Sequence, residues 1–481
     1  MGLQYWSRAG PFISLENLWR AWQQASAGNS FLLVAAGLFA VAIIHGLATA
    51  RLRAWGMLLE TSLGRERYPR LTKVISPTVW HLLSEVECVF MLWALVLLGA
   101  MVVWPGHGGG RTWDYLVTGN YFTPKSVGEP SKFIEPLFVL IIMTMAGAAS
   151  IGRGAEWLIL QLARSLGGGL ALRWWLILTL IPLLGSLITE PAAMTIAANL
   201  LVGNCYLRRP SLALQYATLA LLWVNVSLGG ALTHFAAPPV IMVAGPWGWG
   251  TALIWQHFGV AAVLAILLAN TIYYFYFRKE WRTLEVAVPA EDLEVRVAVP
   301  WLTLTVRGLL MAATVWFFNQ HQVGAMMILM LLELCLSFYV GEGWGWQRWR
   351  GPVLVAGFLS GLVILGGLQA WWLEPLLAQM DATTMLLGAT GLTAFNDNAA
   401  VTYLAAQVPA MAGTSPTAAA LRHAVLAGAL AGGGLTVMAN APNPAGYAIL
   451  QPHFAEPISP GRVALWALIP TFLALTCFAL F

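Results

Sequence analysis

Stretches of about 20 apolar residues recur along this 481-residue chain, and they restrict its fold more than any other feature. A helix needs roughly 20 apolar residues to cross the ~30 Å hydrocarbon core of a bilayer. Only 10% of the residues are charged, too few to cover the surface of a soluble domain. The sequence therefore predicts an all-α polytopic membrane protein with about ten transmembrane helices. The windows that meet this condition lie near 31–50, 79–104, 133–151, 211–246, 251–277, 300–318, 323–340, 352–372, 416–450 and 463–480.

The distribution of Lys and Arg predicts the orientation of the chain. If the N-terminus is outside and each window crosses once, the cytoplasmic loops hold 18 of the 25 Lys and Arg residues, the outer loops five and the spans two. Cytoplasmic loops of membrane proteins carry such an excess. We therefore expect a multi-pass protein of a bacterial inner (plasma) membrane with both termini outside. The small net charge of +4 does not indicate a nucleic-acid partner.

Two further apolar stretches, 174–206 and 382–412, have polar residues at their centres. The first centre is Thr-Glu-Pro around Glu190, and the second is Asn-Asp-Asn around Asp397. Basic residues flank the first stretch on both sides, so both of its ends are expected in the cytoplasm. The two stretches are therefore predicted to be re-entrant hairpins. Glu190 lies at the tip of one that opens to the cytoplasm, and Asp397 at the tip of one that opens to the outside.

The two halves of the chain share a pattern of three blocks in the same order. The hairpin centre is followed by Ala-Leu-x-x-Ala-x-Leu-Ala and then by a Gly cluster with Leu-Thr. Because the predicted orientations of the two copies are opposite, this indicates an inverted-topology repeat. A chance likeness of Gly- and Ala-rich segments is the alternative. The predicted units are an N-terminal extramembrane segment 1–30, a first repeat 31–277, a cytoplasmic linker 278–299 and a second repeat 300–481.

The windows 211–246 and 416–450 are too long for one straight helix, and each has a Gly cluster near its middle. Gly and Pro are expected to break both helices there. Broken helix is tolerated at membrane depth only where it lines a cavity or is buried in protein. The breaks are therefore predicted to present carbonyl groups and helix ends to an ion. The residues assigned to the breaks are Gly229, Gly230, Gly432, Gly433, Gly434, Pro239 and Pro442.

The polar residues of the hairpin tips and helix breaks are predicted to form one central, oxygen-rich site. Such ligands suit an alkali cation, and no other metal is predicted. A carboxylate at mid-membrane is costly, so Asp397 and, with a weaker case, Glu190 are functional candidates. Burial favours the protonated carboxyl and a bound cation favours the ionised one, so one group could bind Na⁺ and H⁺ in turn. The predicted ligands are Asp397, Asn396, Asn398, Thr402, Glu190, Thr189, Thr195, Thr233, Thr436, Asn440 and Asn443.

Other ionisable residues in the apolar windows allow two interpretations. Arg422 is a candidate counter-ion of Asp397, in which case Asp397 would be structural. His234 and His423 are candidates for a proton relay, and packed neutral histidines are the alternative. Glu87 begins the second window, and we expect it to belong to a solvated helix start.

The motifs resemble those of the ion transporter superfamily. Phe-Asn-Asp-Asn-Ala-Ala-Val-Thr at 395–402 is similar to the hairpin tips of sodium/proton antiporters and arsenite permeases, and the segments 229–239 and 432–443 are similar to the breaks of that group. The likeness covers roughly 130–460 and is strongest to a family of sodium/proton antiporters. Glu190 and Pro191 stand where relatives commonly have Asp-Asn or Ser-Asn. The resemblance implies a homodimer with a scaffold and a moving transport unit.

The predicted function is secondary active transport, with Na⁺ exchanged for H⁺ by alternating access and a shared carboxylate. An anion or oxyanion carrier of the same superfamily, for arsenite, citrate or a dicarboxylate, is the alternative that Arg422 keeps open. A membrane-embedded enzyme is the alternative of another class, but we find no nucleophile–base pair with suitable spacing and predict no enzyme. The predicted partners are small inorganic ions and the lipid bilayer, without a cofactor.

Overall fold

The computed structural model describes residues 15–60, 79–80, 83–118, 132–286, 298–342, 345–377 and 379–481. Every regular element in these ranges is helical, which confirms the predicted all-α class. Part of the predicted N-terminal segment (1–14) and much of the predicted linker (287–297) lie outside the described residues.

The helices of the first half end within the predicted linker. They are α1 Leu15–Gly28, α2 Phe31–Glu60, α3 Val86–Val103, α4 Gly108–Thr118, α5 Ile134–Ala146, α6 Ala149–Ser165, α7 Leu170–Ile188, α8 Glu190–Asn204, α9 Leu212–Gly229, α10 Pro238–Trp247, α11 Thr251–Tyr276 and α12 Arg278–Val286. Helix α11 contains a π-helical turn at Trp255–Gly259, and short 3₁₀ turns follow α8 and α9.

The helices of the second half continue to the C-terminus. They are α13 Trp301–Asn319, α14 Val323–Tyr339, α15 Trp346–Gly366, α16 Ala370–Leu377, α17 Ala382–Phe395, α18 Asn398–Ala406, α19 Pro409–Ala412, α20 Pro416–Gly432, α21 Asn443–Leu450 and α22 Pro460–Leu480. The interruptions between α9 and α10 and between α20 and α21 lie at the two Gly clusters.

Seven of the described helices are long and apolar enough to cross a membrane. An eighth span results if α5 and α6, which meet at an angle of 64°, are counted as one. Three shorter apolar helices, Glu87–Val103, Val323–Tyr339 and Ala382–Phe395, accompany them. The structure is thus that of a multi-pass membrane protein, while the number of ten spans stays a prediction.

Helix α9 is the most deeply buried of the candidate spans, with 89% of its apolar window inside the protein. It packs against α7, α8, α11, α20 and α22. Its neighbour α7 contains Pro182, which has no N–H and leaves the carbonyl of Leu178 without its usual helical donor. The side chain of Asn225 on α9 donates to that carbonyl at 2.9 Å. This bond holds α7 against α9 about one turn before the first helix break.

Glycines allow the helices around the breaks to approach closely. A Cβ atom on Gly229 would collide with the carbonyl of Pro182 on α7, and one on Gly432 would lie 2.7 Å from the carbonyl of Thr390 on α17. Each break therefore begins where its helix is in backbone contact with the first arm of the neighbouring helix pair, α7–α8 or α17–α18. This packing brings the start of each break to the tip of the adjacent pair.

Candidate functional site

Helices α7 and α8 meet at a single residue, Thr189. Its φ of 75° is unusual for a β-branched residue and is retained only where the surroundings enforce it. Glu190 and Pro191 then form the first turn of α8, where Pro is tolerated because that turn has no intrahelical N–H partner to lose. The side chain of Glu190 is completely buried. The strained turn thus places a carboxyl group at a buried helix N-terminus.

Asp397 is the N-cap residue of α18, one position earlier relative to its helix than Glu190 is in α8. Its Oδ1 accepts a hydrogen bond of 2.8 Å from the backbone N–H of Ala399 and so caps the helix. Its own N–H donates to the side-chain oxygen of Asn396 at 3.0 Å. The residue is only 4% exposed. Both predicted tips therefore place a buried carboxyl group at a helix N-terminus, where the helix dipole favours negative charge.

Each helix break is tied to the arm beside it by a threonine. Thr233 donates to the carbonyl of Ser186 at 2.8 Å, four residues before Glu190. Thr436 donates to the carbonyl of Ala394 at 2.7 Å, three residues before Asp397. The two halves thus use the same residue type for the same contact.

The two halves meet at the break between α20 and α21. The side-chain amide of Asn440 donates to Glu190 Oε2 at 2.9 Å. On the other side, the N–H of Asn398 donates to the carbonyl of Ala439 at 3.0 Å. One break therefore contacts the tips of both helix pairs, which brings Glu190 and the Asp397 tip to one region.

Several glycines of the breaks have no room for a side chain because polar groups lie against them. A Cβ atom on Gly230 would lie 2.6 Å from Glu190 Oε1. A Cβ atom on Gly433 would collide with the hydroxyl of Ser227 and would lie 3.0 Å from Asn398 Nδ2. Asn443 Nδ2 bonds the carbonyl of Gly433 and that of Thr436, each at 2.8 Å, and so holds the second break in shape.

Oxygen atoms of these side chains are buried without a hydrogen-bond partner in the protein. Buried polar atoms are normally paired, so a group of orphaned acceptors points to a ligand or to water. Carboxylate, amide and hydroxyl oxygens are the donors that alkali cations prefer. The atoms concerned are Thr189 Oγ1, Glu190 Oε1, Asn398 Oδ1, Asn440 Oδ1 and Asn443 Oδ1. The residues present therefore fit a dehydrated cation.

Asp397 lines two small cavities. The first, which we call the inner cavity, is lined by Glu87, Phe358, Asp397, Met438, Asn440 and Pro444, with Val437 and Ala441 completing its wall. The second has Gly46 of α2, Phe90 of α3, Phe395, Asn396 and Met438 in its wall. A buried carboxyl group that lines two cavities could exchange ligands through either.

Three of the remaining predicted residues form hydrogen bonds with groups outside the two hairpin tips and the helix breaks or within their own helix. Thr402 donates to carbonyls within its own helix, and Thr195, which is exposed, donates to the carbonyl of Pro191. His234 contacts Thr251 and Asn319 at 2.6 and 2.8 Å.

The two ionisable residues of α20 have contacts with groups other than Asp397. Arg422 donates to the carbonyl of Met411 at 3.1 Å, and the ion pairs of the described residues include none between Arg422 and Asp397. His423 bonds the carbonyl of Phe478 and stacks on Phe258.

Sequence reasoning missed Glu87. It lies in the first turn of α3, as expected, and is half-buried, but its place in the wall of the inner cavity with Asp397 and Asn440 was not predicted. Like Asp397, Glu87 is a carboxyl group within an apolar window of the sequence. Because it lies at the edge of its window, the sequence did not indicate that it lines a cavity.

A multi-pass helical protein with buried carboxyl groups beside two broken helices has the architecture of a secondary ion transporter. Residues 30–481 match the family described as "Putative Na+/H+ antiporter", and the chain belongs to this family. The match confirms the resemblance inferred from the motifs. The family is one of transporters rather than enzymes, and its substrates are ions. No curated protein matches the chain.

Proposed function

We propose that this protein exchanges Na⁺ for H⁺ across a bacterial inner membrane, with Asp397 as the carboxyl group that binds both in turn. The observation that carries the proposal is the position of Asp397, which is buried but lines two cavities. Family membership supports cation/proton antiport in general.

The charges of the site support a titrating role. Neither Asp397 nor Glu190 belongs to an ion pair among the described residues. A buried carboxylate without a counter-charge is costly, so each group is favoured only when it holds a proton or a cation. This is the condition for coupled exchange, because the release of one ligand favours the binding of the other.

The orphaned oxygens suggest how a dehydrated Na⁺ would be held. Asn398 follows Asp397 in the chain and Asn440 donates to Glu190, and the side-chain oxygens of both asparagines are buried without partners in the protein. In this proposal they complete the cation site, with Asn443 behind them. Thr233 and Thr436 then act as links that hold the breaks in place.

The equivalent threonine contacts support two inverted repeats with boundaries near 31–277 and 300–481. Alternating access follows if the pairs α7–α8 and α17–α18, with the two broken helices, move together against the remaining helices. The orientation with both termini outside rests on the charge distribution, and the homodimer rests on the resemblance. An anion carrier is less well supported, since Arg422 is bonded to Met411 and not to the site.

The test is exchange in proteoliposomes that contain a trapped pH-sensitive dye, with the membrane potential clamped. Na⁺, Li⁺, K⁺, citrate or arsenite is added to separate samples. Na⁺ should change the internal pH, and Li⁺ and K⁺ should change it only to the extent that they fit the same site. A response to an oxyanion without a response to any alkali cation would refute the proposal. Liposomes without protein provide the baseline.

A further inference from the structure

Three asparagines around the second helix break share one orientation of the side-chain amide. In each, the nitrogen end is hydrogen-bonded to the protein, and the oxygen end is buried without a partner among the described residues. The unpaired ends are therefore acceptors, which suit a cation and not an anion. The nitrogen of Asn440 bonds Glu190 at 2.9 Å, that of Asn443 bonds the carbonyls of Gly433 and Thr436 at 2.8 Å, and that of Asn398 bonds the hydroxyl of Ser227 at 3.4 Å.

The group that holds Asn398 is a hydroxyl, which can either donate or accept a hydrogen bond. The proton of Ser227 is directed at the carbonyl of Leu430 on α20, at 2.8 Å. The oxygen of Ser227 is therefore left to accept from Asn398, and the nitrogen end of the amide lies against it. With its proton free, the same hydroxyl could donate to the oxygen end, and the amide could turn round. The bond to Leu430 thus determines which end of Asn398 faces the site.

Close packing keeps Ser227 of α9 against the second break. A Cβ atom on Gly433 would collide with the Ser227 hydroxyl and would lie 3.0 Å from Asn398 Nδ2. A Cβ atom on the next residue, Gly434, would collide with the backbone of Val224, one turn earlier on α9. Ser227 and Asn398 are both completely buried. Rotation of the amide about its own bond is therefore the main freedom left to Asn398, and the hydrogen bond to Ser227 removes it.

We propose that Ser227 is a positioning residue that holds the Asn398 amide with its oxygen towards the cation. This inference rests on the proposed function, because it takes Asn398 as a ligand of the cation that Asp397 binds. Ser227 acts through Asn398 and is not itself a ligand. The reversed amide would present its NH₂ group to the site, which would repel a cation and attract an anion. A hydroxyl outside the ligand set thereby favours cations over anions.

The first test measures the binding of Na⁺ in detergent, because a ligand that binds only the folded state raises the midpoint of thermal unfolding. Ser227→Ala removes the acceptor and allows both orientations of the amide. Half-maximal stabilisation should then need about fivefold to tenfold more Na⁺, on the scale of one hydrogen bond. Ser227→Cys has a similar shape and a weaker acceptor, and it should lie between Ser227→Ala and the parent. An unchanged Na⁺ dependence in Ser227→Ala overturns the proposal, and Ser227→Cys decides by the same criterion if Ser227→Ala does not fold.

The matched control is Thr218→Val, which removes another completely buried hydroxyl from α9 and keeps the shape of the side chain. Thr218 lies about 13 Å before Ser227 along the helix, and its hydroxyl accepts a hydrogen bond of 2.9 Å from Trp174. This variant should be less stable without Na⁺, but it should need the same Na⁺ concentration as the parent for half-maximal stabilisation. A shift as large as that of Ser227→Ala would assign the effect to the loss of any buried hydroxyl of α9 and overturn the proposal.

The second test asks whether Ser227 acts through Asn398. Asn398→Asp has an oxygen at both ends of its side chain, so its orientation has no consequence for a cation. Ser227→Ala should therefore not weaken Na⁺ binding further when it is combined with Asn398→Asp. The same loss in both backgrounds overturns the positioning role.

The two readouts separate this inference from the proposed function. A parent protein that Na⁺ stabilises but that does not exchange Na⁺ for H⁺ refutes the proposed function, and the role of Ser227 then stands on the binding data. Exchange by the parent, with Na⁺ binding that Ser227→Ala does not alter, refutes the inference and leaves the proposed function standing. A parent without any Na⁺-dependent stabilisation also overturns the inference, since Asn398 then has no cation to bind.

Discussion

The side-chain amide of Asn440 donates a hydrogen bond of 2.9 Å to the carboxyl group of Glu190, which lies 250 positions earlier in the chain. Asn440 also lines the inner cavity with Asp397. One residue of the second helix break thus connects the buried carboxyl group of the first half with the cavity of the second. A movement of either tip changes the surroundings of both carboxyl groups, which is a simple means of coupling the halves.

Gly230→Ala should disturb this connection. The new Cβ would lie 2.6 Å from Glu190 Oε1 and 2.8 Å from the Cβ of Ala237, so Glu190 must move away from Asn440. Because displacements of about 1 Å in a functional site can be costly, we expect exchange to fall at least about tenfold. The control is Gly203→Ala at the other end of α8, where the space around the Cβ is open. Equal exchange rates for the two variants would contradict this arrangement of Glu190.

The two helix breaks and one of the site's carboxyl groups could be predicted from sequence. The Gly clusters at 229–230 and 432–434 predict the ends of α9 and α20, because Gly and nearby Pro act locally on the backbone. Asp397 could be singled out because a carboxyl group in an apolar window is rare. Both features depend on residues close together in the sequence, so they can be recognised without knowledge of the tertiary structure.

The place of Glu87 in the cavity wall and the partner of Arg422 could not be predicted. Glu87 lines the inner cavity because α3 and α15 pack through Gly361, a contact between positions far apart in sequence. Arg422 has the same 25-residue spacing from Asp397 that Gln215 has from Glu190, but spacing does not give the direction of a side chain on a helix. In the structure it points to Met411.

Glu333→Gln should strongly destabilise the protein. Arg307 and Glu333 are both completely buried and bonded at 3.1 Å, with Arg348 on the same carboxylate. Removal of one charge from a buried network costs about 3–5 kcal/mol, and here Arg307 and Arg348 would share a single carboxylate, that of Glu342. The midpoint of thermal unfolding in detergent should fall clearly.

The control for this prediction is Glu456→Gln, which breaks an ion pair with Arg462 nearer the surface. Pairs of that kind contribute about 0–1 kcal/mol, so the midpoint should change little. Similar midpoints for the two variants would show that the buried network contributes no more than a surface pair.

The charge distribution predicts which face each loop occupies. With the four native cysteines replaced, Lys279→Cys at the start of α12 should react with an impermeant thiol reagent only from the cytoplasmic side. Arg111→Cys on α4 should react only from the outside, because the same count places the 105–131 region there. Both original side chains are exposed, so access is not the limiting factor. Reaction of both cysteines from one side would reject the topology.

Asp397→Asn should abolish Na⁺/H⁺ exchange without unfolding the protein. The amide oxygen of Asn can still cap α18 through the N–H of Ala399, but the amide neither titrates nor attracts a cation as strongly. The matched control is Asp381→Asn, since half-buried Asp381 caps α17 in the same way at 2.7 Å and lines neither cavity.

Exchange in the parent should decline as the pH on the cation side falls, because a proton and Na⁺ compete for the carboxyl group of Asp397, and more Na⁺ should restore it. Asp397→Glu keeps the charge and moves it by about one methylene. It should therefore weaken exchange or change its ion preference, a smaller effect than that of Asp397→Asn. If Asp397 served only to neutralise Arg422, removal of both charges together would restore transport. The bond from Arg422 to Met411 leads us to expect no such rescue. A well-folded Asp397→Asn protein that exchanged Na⁺ for H⁺ near the parent rate would exclude the shared carboxyl group.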